Sequence, residues 1–187
     1  FYYDTSYNDK KDASNVLYPY EQFQRITKYG MNGKNNKNYY YVDIKGVRFI
    51  TLYQRDFNYS EKIPSIEEFC ISKTQIEWLK NDALNTTNPI VVLTHAPLVS
   101  ELFTTGGTGF GEILTALQSF KINGGIIIAV LNGHTHKQDQ AVIDGINHIV
   151  FANGYSFFEI MSVDVNARTI KCKPINNSAL QERTFSY

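Results

Sequence analysis

Three of the four histidines in this 187-residue chain fall in two short motifs, Thr94-His95 and Gly133-His134-Thr135-His136. Three imidazoles brought together suit a borderline transition metal such as zinc, iron or manganese. The i, i+2 spacing of His134 and His136 places both rings on one side of an extended backbone. Gly133 permits the tight turn and close backbone approach that such a site needs. Pro97 stiffens the chain just after His95. Three histidines do not complete two metal shells, and a second ion needs a bridging carboxylate with further ligands. Glu101, Glu112 and Asp139 are the nearby acids, and their spacing selects none of them. The fourth histidine, His148, falls mid-strand in a hairpin and reads as structural.

The elements that must position these residues are legible on either side of them. The runs Ile90–Leu93 and Ile126–Leu131 are continuous and apolar, as expected of strands buried on both faces. His95 follows the first run and His134 the second. In open α/β sheets, ligands gather outside the carboxyl ends of strands, so two adjacent strands would deliver the three imidazoles to one rim. A helix is expected from Ser72, where Ser72 and Gln75 form an S-x-x-Q capping box. Ile76, Leu79 and Leu84 give it an apolar stripe, with Trp78 beside it. A second helix is expected over about 112–120.

Hairpins flank this core. Tyr39–Ile44 and Val47–Tyr53 are joined by Lys45-Gly46, and Ala141–Ile143 and Ile146–Phe151 by Asp144-Gly145. Phe157–Val165 and Thr169–Lys173 turn around Asn166-Ala167. Residues 1–38 form a polar, loop-rich lead-in, with a short helix expected over 19–29 and a turn or loop over 30–38. Residues 56–64 read as a polar excursion. The alternation of strands and helices followed by hairpins implies one layered α/β domain with a mixed sheet.

Other features carry less chemistry. Residues 106–111 are glycine-rich, but a phosphate loop needs a Lys-Ser/Thr pair after its last glycine, and Glu112-Ile113 stands there instead. A flexible loop near the rim is the better reading. Tyr39–Tyr41 read as sheet residues and not as a base-stacking platform, since no basic stripe accompanies them. Cys70 and Cys172 read as reduced thiols. The formal net charge is zero, which gives no bulk electrostatic case for nucleic acid or an anionic membrane. The longest apolar runs are too short to span a bilayer. Apolar residues at 43% and charged residues at 19% read as soluble and globular, and no compartment is assigned. The chain starts with Phe1 without a leader pattern, so it is expected to be processed or cut from a longer chain.

An ordered set of segments resembles the calcineurin-like metallophosphoesterases. These are residues 41–50, residues 72–79, Val92-Leu93-Thr94-His95-Ala96-Pro97 and Asn132-Gly133-His134-Thr135-His136. The resemblance implies a β-sandwich flanked by helices, with two divalent metals (manganese, iron or zinc) at the sheet rim. It implies that His95 and His134 bind one metal and His136 the other. The metals would hold a bridging water or hydroxide and clamp a phosphoryl group for in-line attack, on a phosphomonoester or a phosphodiester.

The family's opening motifs, Asp-x-His, Gly-Asp-x-x-Asp and Gly-Asn-His-Asp/Glu, do not occur in the sequence. Asp4-Thr5-Ser6 resembles the residues just after Gly-Asn-His in some members, and Phe1-Tyr2-Tyr3 then stands where Gly-Asn-His should be. The favoured expectation is a fold incomplete at its N-terminus: the C-terminal part of a longer enzyme, weak or inactive alone. The missing half could instead come from a separate chain or a larger assembly. The chain could also be a non-catalytic interaction or structural module on a degenerate phosphoesterase fold. A purely structural zinc site is the weakest reading, because such sites want four closed ligands, often cysteines. Fold alone does not fix the substrate.

Overall fold

β-Branched and aromatic residues favour a pleated, half-buried surface, and they build most of this chain's central sheet. The computed structural model describes residues 32–33 (backbone only), 38–56, 69–152, 158–176 and 178–187. The expected helix over 19–29 and the polar excursion beyond Asp56 lie outside the described residues.

Among the described residues a seven-stranded mixed sheet has the order β1-β2-β3-β4-β5-β7-β6. Its strands are β1 (Asn32–Gly33), β2 (Tyr40–Ile44), β3 (Val47–Thr51), β4 (Ile90–Leu93), β5 (Ile127–Asn132), β6 (Asp139–Ile143) and β7 (Ile146–Val150). Strands β3, β4, β5 and β7 pair in parallel, while β2 and β6 join antiparallel. A second, antiparallel sheet has the order β10-β9-β8, from β8 (Phe158–Asp164), β9 (Thr169–Ile175) and β10 (Arg183–Ser186). The architecture is the layered β-sandwich with flanking helices that the sequence implied.

Alternation along the strands divides the core. Ile50, Ile90, Val92, Val130 and Ile146 cluster with Leu79, Ile113 and Leu117 of the helices. Val91, Ala129, Leu131 and Ile149 instead pack against Ile170 and Cys172 of the second sheet. Both hairpin turns obey the turn chemistry of their sequences. Lys45-Gly46 has φ of 49° and 77°, and Asp144-Gly145 has 53° and 70°, the left-handed pair a two-residue hairpin needs. Arg48 grips Asp43 with two bonds of 2.8 Å and also donates to the carbonyls of Ala83 and Asn85. It thereby ties the first hairpin to a helix end. That grip holds the Asp43 carboxyl below its usual range.

Helix α1 (Lys73–Trp78) runs into a π-helical turn at Leu79–Ala83, closed by Leu84 N–H on the Leu79 carbonyl at 2.9 Å. Ser72 caps it and accepts from the Gln75 N–H. The reciprocal half of the expected capping box does not form. Gln75 is fully buried, and its amide pairs with the backbone of Tyr53 in both directions at 2.9 Å and with Asp56 at 3.1 Å. Burial of the amide makes inward partners compulsory.

Helix α2 (Phe110–Ile122) is longer than its apolar spacing predicted. Three further expectations are corrected. Asn32–Gly33 is not loop but pairs with Tyr41 and Tyr40. Strand β10 was not anticipated. The glycine-rich segment is docked rather than free: Thr108 N–H bonds the Phe69 carbonyl and Ile71 N–H the Thr108 carbonyl, at 3.0 and 2.9 Å. Gly107 and Gly109 are needed for close approach, to Phe110 and Phe69 and to Ile71 respectively. Cys70 and Cys172 are free thiols, as expected. Among the described residues no helix is long and apolar enough to cross a membrane.

Gly109 generates a direct test. Its φ is 84°, and an added Cβ would lie 2.5 Å from the Ile71 carbonyl oxygen. Gly109→Ala should lower stability by about 2 kcal/mol or more, through strain and the displaced backbone pairing. Chemical denaturation measures this, and an unchanged midpoint would show that the segment is not held against Ile71.

Candidate metal centre

The site begins with three strand ends held in step. Leu52 N–H, just past β3, bonds the Leu93 carbonyl at 2.9 Å, and Thr94 N–H bonds the Leu131 carbonyl at 3.0 Å. One step further, Gly133 N–H bonds the His95 carbonyl at 2.9 Å. The buried Gln54 then fixes the turn after His95. Its side chain accepts from the Ala96 N–H at 2.6 Å and donates to the Ala96 carbonyl at 2.9 Å. Thr94 Oγ1 donates to the same carbonyl at 2.8 Å.

On this base His95 Nε2 lies 3.1 Å from His134 Nδ1, with ring centroids 5.0 Å apart. Phe69 and Phe103 meet the His134 ring edge-on at 5.1 and 4.9 Å, and Phe69 also lies 6.1 Å from His95. His95 is exposed as a residue, yet this crowding, chiefly by desolvation and then by His134 and His136, pushes its pKa down to about 4. It is neutral at pH 7, the form that ligates metal.

The donor pair fits a metal ion. Zinc–imidazole bonds of about 2.0–2.1 Å from two nitrogens 3.1 Å apart would meet at roughly a right angle. Both amide atoms of Asn132 and the Thr135 hydroxyl, which flank Gly133-His134, are buried without a hydrogen-bond partner among the described residues. Orphaned polar atoms at such a place ask for a polar ligand.

The remaining expected ligands stand differently. Residues 133–137 are not an extended strand. His134 and His136 have φ of 67° and 59°, so the i, i+2 argument for their rings fails; they sit in a left-handed turn, at a cost of about 1–2 kcal/mol each. His136 is exposed. Glu101 and Glu112 are exposed, and Asp139 pairs with Lys137 at 3.5 Å. Among the described residues, no group of three or more His, Cys, Asp or Glu side chains could hold a metal ion.

The structure therefore brings together two of the three predicted histidines. Sequence reasoning missed Gln54, Phe69 and Phe103, which carry no motif. Asn132 could have been found, since it precedes Gly133 directly at a strand end. His148 is fully buried in β7 beside Val130, and burial pushes its pKa down to about 4 against an opposing pull from Glu101. Both its ring nitrogens are buried without a hydrogen-bond partner among the described residues.

Comparison with known proteins adds to this geometry. The model of the family described as calcineurin-like phosphoesterase matches residues 4–138. A dimetal phosphatase from Danio rerio has a similar fold, with a TM-score of 0.51 and 10% sequence identity. The likeness covers 87% of this chain but 62% of that protein's length. No curated protein matches the chain.

Two outcomes are expected. Gln54→Ala removes both bonds to Ala96 and leaves buried backbone groups unpaired, so stability should fall by about 2–3 kcal/mol; a denaturation midpoint equal to wild type would contradict the clamp. His148 titrates near 6.5 unfolded and about 4 folded, so the unfolded chain binds more protons between these values. Stability should be full above pH 6.5 and fall as pH drops toward 4, by on the order of 3 kcal/mol. His148→Leu should flatten that part of a stability–pH curve, and an unaltered slope would refute the assignment.

Proposed function

The chain belongs to the calcineurin-like phosphoesterase family, and on that premise we propose that His95, His134 and His136 are metal ligands in a two-metal phosphoesterase centre. The intact enzyme would hydrolyse a phosphomonoester or a phosphodiester. The observation that carries the reading is the His95–His134 nitrogen pair at 3.1 Å on the ends of adjacent parallel strands. His95 and His134 would hold one ion and His136 the other.

The bound ions would supply a water ionised near neutral pH and a clamp on the phosphoryl oxygens. The chain's own residues do the rest. Gln54 and Gly133 fix the His95 backbone. Phe69 and Phe103 wall the His134 ring edge-on and limit the orientations it can take. The polar atoms of Asn132 and the Thr135 hydroxyl, buried and unpaired among the described residues, would bond a ligand's oxygen or a bound water.

Three histidines leave both metal shells short. A bridging carboxylate and further donors would come from elsewhere in the intact protein or from a partner chain. The 187 residues alone would then bind metal weakly and turn over slowly.

The test compares the full protein with its His134→Ala variant, using manganese or zinc titration and an aryl phosphate substrate. Metal affinity and turnover should both fall by more than the roughly 10–100-fold that loss of an outer-shell partner costs. Equal affinity in the two proteins would refute the proposal and favour a non-catalytic module on the same fold. Robust turnover by the 187 residues alone, abolished in His136→Ala, would refute the dependence on outside ligands.

A further inference from the structure

The turn that carries His134 and His136 needs to be held from both ends. Left-handed backbone at two non-glycine residues persists only where the surroundings over-determine it. The entry is fixed by β5 and by Gly133 N–H on the His95 carbonyl. The exit is fixed by the second sheet and the segment that leads into its last strand.

Gln138, two residues after His136, closes a reciprocal pair with the backbone of Gln181. Its Nε2 donates to the Gln181 carbonyl at 2.7 Å, and its Oε1 accepts from the Gln181 N–H at 3.0 Å. The same Nε2 reaches Glu159 Oε2 at 3.3 Å. Arg183 of β10 donates to the carbonyl of Asp139, the next residue, at 2.8 Å. It also donates to the carbonyl of Val150 at 3.1 Å, the β7 partner of Asp139. Its charge is met by Glu159 of β8 at 3.1 Å, with only 9% and 2% of the two side chains exposed.

A buried ion pair is a poor way to gain stability alone, since apolar residues of the same volume do as well or better. A planar fork that binds several acceptors in fixed directions suits holding separate strands in register. We propose that Gln138 and Arg183, braced by Glu159, are positioning residues for the histidine turn. The second sheet, beyond the 4–138 segment matched by the family, thus sets the geometry of the metal centre. The inference rests on His134 and His136 being metal ligands.

The test is zinc titration of the full chain, with amide hydrogen exchange measured on the same samples. The variants are Gln138→Ala, Arg183→Lys and His134→Ala, with Gln140→Ala as a neighbouring control. Gln138→Ala should weaken zinc binding roughly 10-fold, as loss of an outer-shell partner does. It should speed exchange at residues 133–137 and leave the strands unaffected, a pattern that general destabilisation would not give. Arg183→Lys keeps the charge but not the fork and should weaken binding similarly. Should it fail to fold, Gln138→Ala decides alone. Gln140→Ala should match wild type.

If His134→Ala loses zinc while Gln138→Ala binds as tightly as wild type, the positioning role is overturned and the ligand reading stands. If His134→Ala binds zinc unchanged, the ligand reading falls and this inference falls with it. Faster exchange spread through every strand of Gln138→Ala would also overturn it.

Discussion

Parallel pairing of β4 with β5 is the constraint on which the candidate centre depends. Val91, Val92 and Leu93 lie beside Ala129, Val130 and Leu131, so the two strands end side by side and their next residues leave the sheet together. Residues 39 apart in sequence thereby meet with ring nitrogens 3.1 Å apart. Register is enforced by burial on both faces. Each aliphatic side chain taken from water contributes about 1.5–3 kcal/mol, and a one-residue slip would turn every side chain to the opposite face.

Around that pairing the structure holds polar side chains inside. Gln54, Asp56 and Gln75 are all buried and are linked through backbone at Tyr53 and Ala96. Ser72 joins the network by donating to Asp56. These amides connect the end of β3, the start of α1 and the turn after His95. Fully paired networks of this kind rigidify what they join, because every broken bond leaves a desolvated group behind. The two left-handed histidines are the counterpart: local strain near the rim, held by a stiff frame.

Legibility tracks the range of the interactions involved. The strands Ile90–Leu93 and Ile127–Asn132, and both two-residue hairpin turns, are written in residue type and short spacing. The Ser72 cap is local, and its spacing identifies it. The same spacing misassigns its partner Gln75, because the choice between capping and the Tyr53 backbone depends on burial 22 residues away in sequence. The glycine-rich segment misleads for a related reason. Gly107 lies under Phe110 and Phe69, and Gly109 lies against Ile71, neighbours that composition does not announce. Strand β10 is short, and it pairs only with Thr169–Cys172 of β9, so its pattern alone carries little signal.

The sequence by itself determined the identities of the histidines, the strands that precede them and the ordered motifs shared with a phosphoesterase family. These rest on side-chain chemistry and on periodicities of a few residues. Only the tertiary structure decided which histidines meet. It put His95 against His134, set both histidines of the Gly-His-Thr-His motif in a left-handed turn, and tied the exit of that turn to the second sheet through Gln138 and Arg183. Those outcomes are set by strand order, register and the partners that buried polar groups must find, all long-range along the chain. The opening pair of motifs thus names the candidate donors, while the fold fixes the 3.1 Å approach of two of them.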